Sequence, residues 1–363
     1  MFSLFKMTFF CWSITLTLIQ QVYAGDYSTP ERYAGERTAF GLQSTGCNAS
    51  VFAQAPEDHS LFLGRQMITK DGENTCDGRG WKIVLDRLDW TTKTFEIVHP
   101  VITPPVEIEG GRRLLNAYDP DIVEFRGEYW LTFECVGDGI PGTSTCLVSV
   151  DKQSMTVEPK DIYVAIEGDE VSPGHQYTAA DPKFLVFEQH LYLYWTAINI
   201  VDKKWMSLST RGTELISDDL PRPHLWARGK GRATPALDPG ANVQVWPDAD
   251  VFSLREINGA IYVTAGAATG SCLTPSIEAD GCFSLQISKS LEPLGLDAFA
   301  KQVADPNLLP TTSQEYARFI VEPNGGLAIL GTFLPHSSNW FKQRPIPQGV
   351  TAFPISVEAL FGK

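Results

Sequence analysis

Read for the alternation of apolar and polar positions, the chain breaks into short strands joined by turns, and strong helical periodicity is nearly absent. The clearest unit spans residues 116–134, NAYDPDIVEFRGEYWLTFE. Residues 122–125 read as a short apolar-rich strand, Arg126-Gly127 as turn chemistry, and 129–133 as an aromatic-rich return strand. The outline recurs. Asp181-Pro182-Lys183 precedes a strand at 184–187, a Glu188-Gln189 turn and a return at 191–195. Asp248-Ala249-Asp250 precedes a strand at 251–254, a slightly longer turn ending at Asn258-Gly259, and a return at 261–264. The three starts, Asp119, Asp181 and Asp248, lie 62 and 67 residues apart. A strand-built repeat of that size means blades or coils rather than one ordinary sheet.

Two further units complete the pattern. Residues 48–54 and 59–66, then 81–85 and 94–98, read as four successive strands, and four strands per unit is the blade of a propeller. The last unit has its inner strand at 317–321, a turn at 323–326, a return at 327–332, a third strand at 349–355 and a fourth at 356–360. Starts near 48, 119, 181, 248 and 317 predict an all-β, five-bladed β-propeller with four-stranded antiparallel blades. The polar, Gly-rich segment 26–47 reads as an arm that closes the fold or lies on its surface. The Asn48-Ala49-Ser50 sequon falls inside an inner strand and is discounted as a glycan site.

With 363 residues, 43% of them hydrophobic, the chain has material for a large core and lies outside disordered compositions. Residues 1–24 carry one lysine, Lys6, an apolar run at 7–19 and a Val22-Tyr23-Ala24 end suited to a signal peptidase. We read them as a secretory signal, leaving 25–363 as a single propeller domain, secreted or periplasmic, with no membrane attachment after cleavage. Loss of Cys11 leaves Cys47, Cys76, Cys135, Cys146, Cys272 and Cys282. An even number in an exported chain points to disulfides, with about 15 pairings open in principle. Cys135 and Cys146, and Cys272 and Cys282, each bracket a turn-rich interval, which leaves Cys47 for Cys76. No pair has metal-ligand spacing. The formal charge of −14, which becomes −15 without Lys6, sets the protein against nucleic acid and anionic lipid.

In a propeller, equivalent ends of the inner strands converge on one funnel. The repeat alignment puts Asn48, Asp119, Asp181, Asp248 and Ala317 in that ring, with Asp121, Asp250, Glu315 and Arg318 close by. Carboxylates that share a pocket raise one another's pKa values, the condition for general acid/base chemistry. A bare Asp-Pro at a strand start is otherwise only a turn. An oxygen-rich ring also suits calcium in the central channel. Tyr118, Tyr177 and Trp246 suit sugar stacking or packing between blades, and His175 and His224 lie on loops within reach of the rim. The stretch RPHLWARGKGR gathers Arg222, Arg228, Lys230 and Arg232 around Trp226, a basic cluster fitted to a sulfated or uronate-bearing glycan, and Arg112-Arg113 could join it.

The motifs YDPDIVEF, ADPKFLVF and WPDADVF, set in this repeat, resemble those of the five-bladed β-propeller glycoside hydrolases that hold arabinanases, β-xylosidases, invertases and levansucrases, family 43 among them. The resemblance implies a hydrolase acting on an oligo- or polysaccharide through a carboxylate pair, with no cofactor required. It implies Asp119 as base or nucleophile and Asp181 as the aspartate that tunes its partner. The family's acid is a glutamate ahead of the acid-bearing strand, and here Gln244-Val245-Trp246-Pro247-Asp248 contains none. Asp248 serves as the acid, or Glu170 reaches in from a loop, or the protein does not hydrolyse glycosides. Asp121, Tyr118, Tyr177, Trp246, Arg318 and His175 are the expected substrate contacts. The rival readings are a non-catalytic propeller that binds glycan or protein, and phosphorolysis or transfer to another sugar.

Overall fold

The computed structural model describes residues 38–42, 48–68, 80–202, 204–216, 243–268, 283–305, 309, 313–334 and 349–362. The secretory signal, four of the six cysteines (Cys47, Cys76, Cys272 and Cys282), His224 and the basic stretch 222–232 lie outside them. Over the described residues the chain is a five-bladed propeller of antiparallel sheets.

Strand β1 (Thr38–Leu42) stands apart from its neighbours in sequence. Blade 1 follows as β2 (Asn48–Gln54), β3 (Leu61–Met67), β4 (Trp81–Asp89) and β5 (Thr94–Ile102). Blade 2 is β7 (Arg113–Phe125), β8 (Glu128–Asp138), β9 (Ser144–Val150) and β10 (Tyr163–Ile166), with the two-residue β6 (Val106–Glu107) beside the start of β7. Blade 3 begins with a hairpin, β11 (Asp169–Ser172) and β12 (His175–Tyr177), and continues as β13 (Ala180–Phe187), β14 (His190–Val201), β15 (Lys204–Ile216) and β16 (Val243–Pro247). Blade 4 is β17 (Ala249–Ile257), β18 (Ala260–Ala268) and β19 (Phe283–Ser290), its outer edge met by a single bridge from Val303 to Ser288. Blade 5 is β20 (Ser313–Val321), β21 (Leu327–Leu334) and β22 (Gly349–Pro354).

The fourth strand of blade 5 comes from the other end of the chain. β1 pairs antiparallel with β22 in the register Thr38↔Ala352, so the arm ahead of blade 1 closes the ring. The expected strand at 356–360 is instead a short helix, α1 (Val357–Phe361), whose Ser356 side chain caps the Ala359 N–H. Ser356 is a preferred N-cap residue, and with the edge of β22 already taken by β1 the segment has no ladder to join. Among the described residues, no helix is long and apolar enough to cross a membrane.

Packing repeats with the blades. One buried apolar cluster fills each seam: Leu63, Leu85, Leu131 and Phe133 between blades 1 and 2; Trp130, Phe184 and Trp195 between 2 and 3. Phe187, Tyr194 and Val263 fill the seam between blades 3 and 4, Tyr262, Ile287 and Phe319 that between 4 and 5, and Phe62, Phe95 and Ile320 that between 5 and 1. Burial of each large side chain contributes about 1.5–3 kcal/mol. Five seams, each filled, hold the inner strands side by side around one axis.

The hairpin turns set the register of those strands. Arg126-Gly127, Glu188-Gln189 and Asn258-Gly259 all have positive φ at both residues, as two-residue type I′ turns require. The turn of blade 4 is therefore no longer than the others. Arg255 and Glu256 belong to β17 and pair with Tyr262 and Ile261, on opposite faces of the strand, with Glu256 exposed and Arg255 half-buried.

Candidate active site

Sequence dictates a break in the inner strands of blades 2 and 3. The pairing passes from Tyr118↔Glu134 to Asp121↔Thr132, and from Ala180↔Thr196 to Lys183↔Tyr194, so Asp-Pro forms a bulge in each. Asp119 and Asp181 adopt φ of 49° and 46°, the left-handed region that aspartate enters more readily than most residues. Bulges re-aim side chains, and here each turns one carboxyl toward the axis.

A second set of residues meets them from the return strands. Counted from the paired register, Arg65 on β3, Glu134 on β8 and Thr196 on β14 occupy the same place in successive blades. Each reaches the inner strand of the next blade. Arg65 Nη1 donates to Asp119 Oδ1 at 2.7 Å. The Asp181 N–H donates to Glu134 Oε2 at 3.3 Å. Thr196 Oγ1 donates to Asp250 Oδ1 at 2.5 Å. Through this relay, oxygens of Asp119, Glu134 and Asp181 come within 4.8 Å of one another.

One layer along the axis lie the residues just past the bulges. Asp121 accepts from Arg318 Nη1 at 3.0 Å, a bond that crosses from blade 2 to blade 5, and from the Phe184 N–H at 2.7 Å. Lys183, only 1% exposed, donates to the Asp181 carbonyl at 2.8 Å.

Among the described residues, five carboxylates and three cationic side chains thus share the centre, and ionisation follows from that imbalance. Glu134 is pushed up to about 8, first by desolvation and then by the Asp119 charge, against the pull of the Asp181 N–H, Arg65 and Lys183. Burial, then the charges of Asp119 and Asp250, raise Asp181 well above the carboxylate range. Asp250 rises to about 6, chiefly by burial, with Lys183 and the Thr196 hydroxyl opposing. Asp121 is raised as well: desolvation outweighs even its ion pair with Arg318. Desolvation lowers Lys183, and Arg318 lowers it further. The Oδ1 of Asp181 is buried without a hydrogen-bond partner, as a group waiting to give or receive a proton would be.

The expected site residues separate on this geometry. Asp119, Asp181, Asp121 and Arg318 come together as the repeat predicts. Asp248 does not join them: it is exposed in the turn between β16 and β17. Asp250 reaches the centre in its stead, where the Thr196 hydroxyl donates to it, although its register opposite Gly266 is that of Tyr118 and not of Asp119. Ala317 is fully buried in the seam between blades 4 and 5, and Asn48 opens β2 opposite Gln66. Glu170 is exposed on β11 opposite Gln176. Trp246 is buried in the seam between blades 3 and 4 and presents no open face to a sugar. Tyr118 is half-buried and meets Trp81 edge-on at 6.4 Å. Tyr177 and His175 lie on β12 with their rings 5.3 Å apart, and His175 Nε2 is 2.9 Å from Asn199 Oδ1. Arg112 is engaged by Glu167 at 2.9 Å. Of the expected disulfides, Cys135–Cys146 is present and ties β8 to β9 one residue past Glu134.

The three clustered carboxylates are close enough to share one cation, but they make a poor calcium cradle. Calcium takes about six to eight oxygens. Here Asp119 already holds Arg65, and positive charge enters the centre through Arg65, Lys183 and Arg318. The donor set fits a shared proton better than a shared ion.

No family model matches the chain, and no curated protein matches it. Solved structures do. The chain is similar to a thermostable family-43 glycoside hydrolase at 12% identity and a TM-score of 0.53, over 90% of this chain and 92% of that one. Its likeness to the native arabinanase of Bacillus subtilis has 14% identity and a TM-score of 0.50, over 89% and 97% of the two chains. For an endo-arabinase from Bacteroides thetaiotaomicron the values are 11% and 0.55, over 88% and 98%. The chain shares the five-bladed propeller fold of these structures. At these identities the likeness is one of fold, and the chemistry has to be argued from the site.

Proposed function

We propose that this protein is an exported glycoside hydrolase that cleaves an oligo- or polysaccharide in the central funnel. The observation that carries the reading is the meeting of Asp119, Glu134 and Asp181 within 4.8 Å at the axis of this fold. Asp119, ion-paired with Arg65, serves as base or nucleophile. Glu134, proton-bearing at neutral pH, gives its proton to the leaving oxygen, and Asp181 tunes it. In the same step Asp119 either takes a proton from the attacking water or attacks the anomeric carbon itself, in which case water, giving its proton to the now ionised Glu134, hydrolyses the glycosyl ester and frees Asp119. The glutamate absent ahead of β17 is thereby supplied from β8. No step needs a cofactor, and activity is expected to withstand a chelator.

Sequence supports the remaining parts of the proposal: a signal at 1–24, a single domain from 25 onward, release to the periplasm or cell exterior, and an anionic substrate gripped by the 222–232 stretch. The test is a screen of purified mature protein against neutral and anionic oligosaccharides beside Asp119→Asn and Glu134→Gln. Cleavage that both substitutions abolish supports the reading, and cleavage indifferent to both overturns it. A second reading, a glycan- or protein-binding propeller without catalysis, draws on the exposure of Asp248 where the family's acid would stand. Binding of a panel member without cleavage would favour it.

A further inference from the structure

Lysine is almost never fully buried unless it is paired, yet Lys183 is 1% exposed at the propeller axis. Its position is set by the fold. It occupies the first place past the bulge, where blade 2 has Asp121 and blade 5 has Arg318. Its hydrogen bond goes to the backbone carbonyl of Asp181 and not to a carboxylate, so the ammonium charge is not committed to one acid. The groups that face it come from every neighbouring blade: Asp181 on its own strand, Asp121 on β7, Asp250 on β17, Arg318 on β20 and Glu134 on β8. Asp119 completes the set through Asp181 and Glu134.

The balance of charges gives the ammonium its role. Arg65 answers Asp119 and Arg318 answers Asp121, which among the described residues leaves Glu134, Asp181 and Asp250 facing Lys183. With Lys183 charged, protons are needed on the Glu134–Asp181 pair and nowhere else. Without it, Asp250, the next carboxylate that faces it, must take up a proton as well.

We propose that Lys183 is a positioning residue for the reaction, the central counter-charge that confines the protons of the site to Glu134 and Asp181. This deepens the glycosidase reading, but its test uses no substrate. Carboxyl titration of the folded protein, by infrared or carbon-13 resonance, is compared for wild type, Lys183→Gln and Lys183→Arg. Glutamine keeps a donor for the Asp181 carbonyl and removes the charge, whereas arginine restores the charge. The expected result is an upward move of the central carboxyls by about one pH unit in Lys183→Gln, the low end for loss of a nearby opposite charge. Lys183→Arg should titrate close to wild type. A folded Lys183→Gln variant with wild-type titration overturns the proposal. The wild-type protein supplies a second arm should glutamine prevent folding: the Lys183 Cε resonance must report an ammonium at pH 7, and a neutral amine there overturns the proposal equally. Failure of the oligosaccharide screen leaves both arms untouched, so the two ideas fail separately.

Discussion

Arg65, on the second strand of blade 1, donates to Asp119 on the first strand of blade 2 at 2.7 Å, with both side chains largely buried. Removal of one partner of such a pair leaves an uncompensated charge, at a cost of about 3–5 kcal/mol. Arg65→Met should therefore lower stability by an amount in that range and activity with it. The Arg65→Met/Asp119→Asn double variant should regain most of the stability and none of the activity. Denaturant unfolding and a glycosidase assay on the same samples separate the two effects.

The raised carboxyls make stability depend on pH in a defined direction. Glu134, Asp181 and Asp250 bind their protons more tightly folded than unfolded. Their favourable contribution is complete below the ordinary carboxylate range and is lost as pH rises toward about 8, the value for Glu134. The melting temperature should fall across that window, and Glu134→Gln should flatten the fall at its alkaline end. A wild-type melting temperature that climbs from pH 5 to 8 would contradict protonation of these three carboxyls.

Exposed Asp248 and Glu170 should tolerate amide substitution, with kcat/KM within about twofold of wild type, since surface changes away from the site rarely matter. Asp250→Asn should cost far more, because Asp250 holds the Thr196 hydroxyl at 2.5 Å in the same ring. Kinetics on the three variants decide between a register of blade 4 that turns Asp250 inward and one that places Asp248 there.

Much of this architecture is legible in the repeat. The Arg126-Gly127 and Asn258-Gly259 turns, the alternating strands and the two Asp-Pro starts announce blades and place Asp119 and Asp181 together. An alignment of inner strands alone does not reach Glu134 and Arg65, because the bulges bring the return strands to the axis too. A signal exists in the sequence: Glu134 is a lone charge within the apolar run YWLTFECV, a costly place for a carboxylate without a role. Blade 4 is harder to read because Arg255 and Glu256 look like turn residues, although both lie within β17. Trp246 shows the limit of side-chain type as a guide, since the ring that would stack on a sugar also fills a seam.

The assignment of Glu134 as proton donor stands or falls on the pH–rate profile of glycoside cleavage by wild type and Glu134→Gln. Wild type should lose activity as pH rises past about 8, where Glu134 gives up its proton. The variant should be slower by about 10²–10⁴-fold, the usual worth of a general acid, and should lack that alkaline limb. A Glu134→Gln enzyme with wild-type rate and an unchanged profile would remove Glu134 from the reaction and leave the axial cluster without its acid.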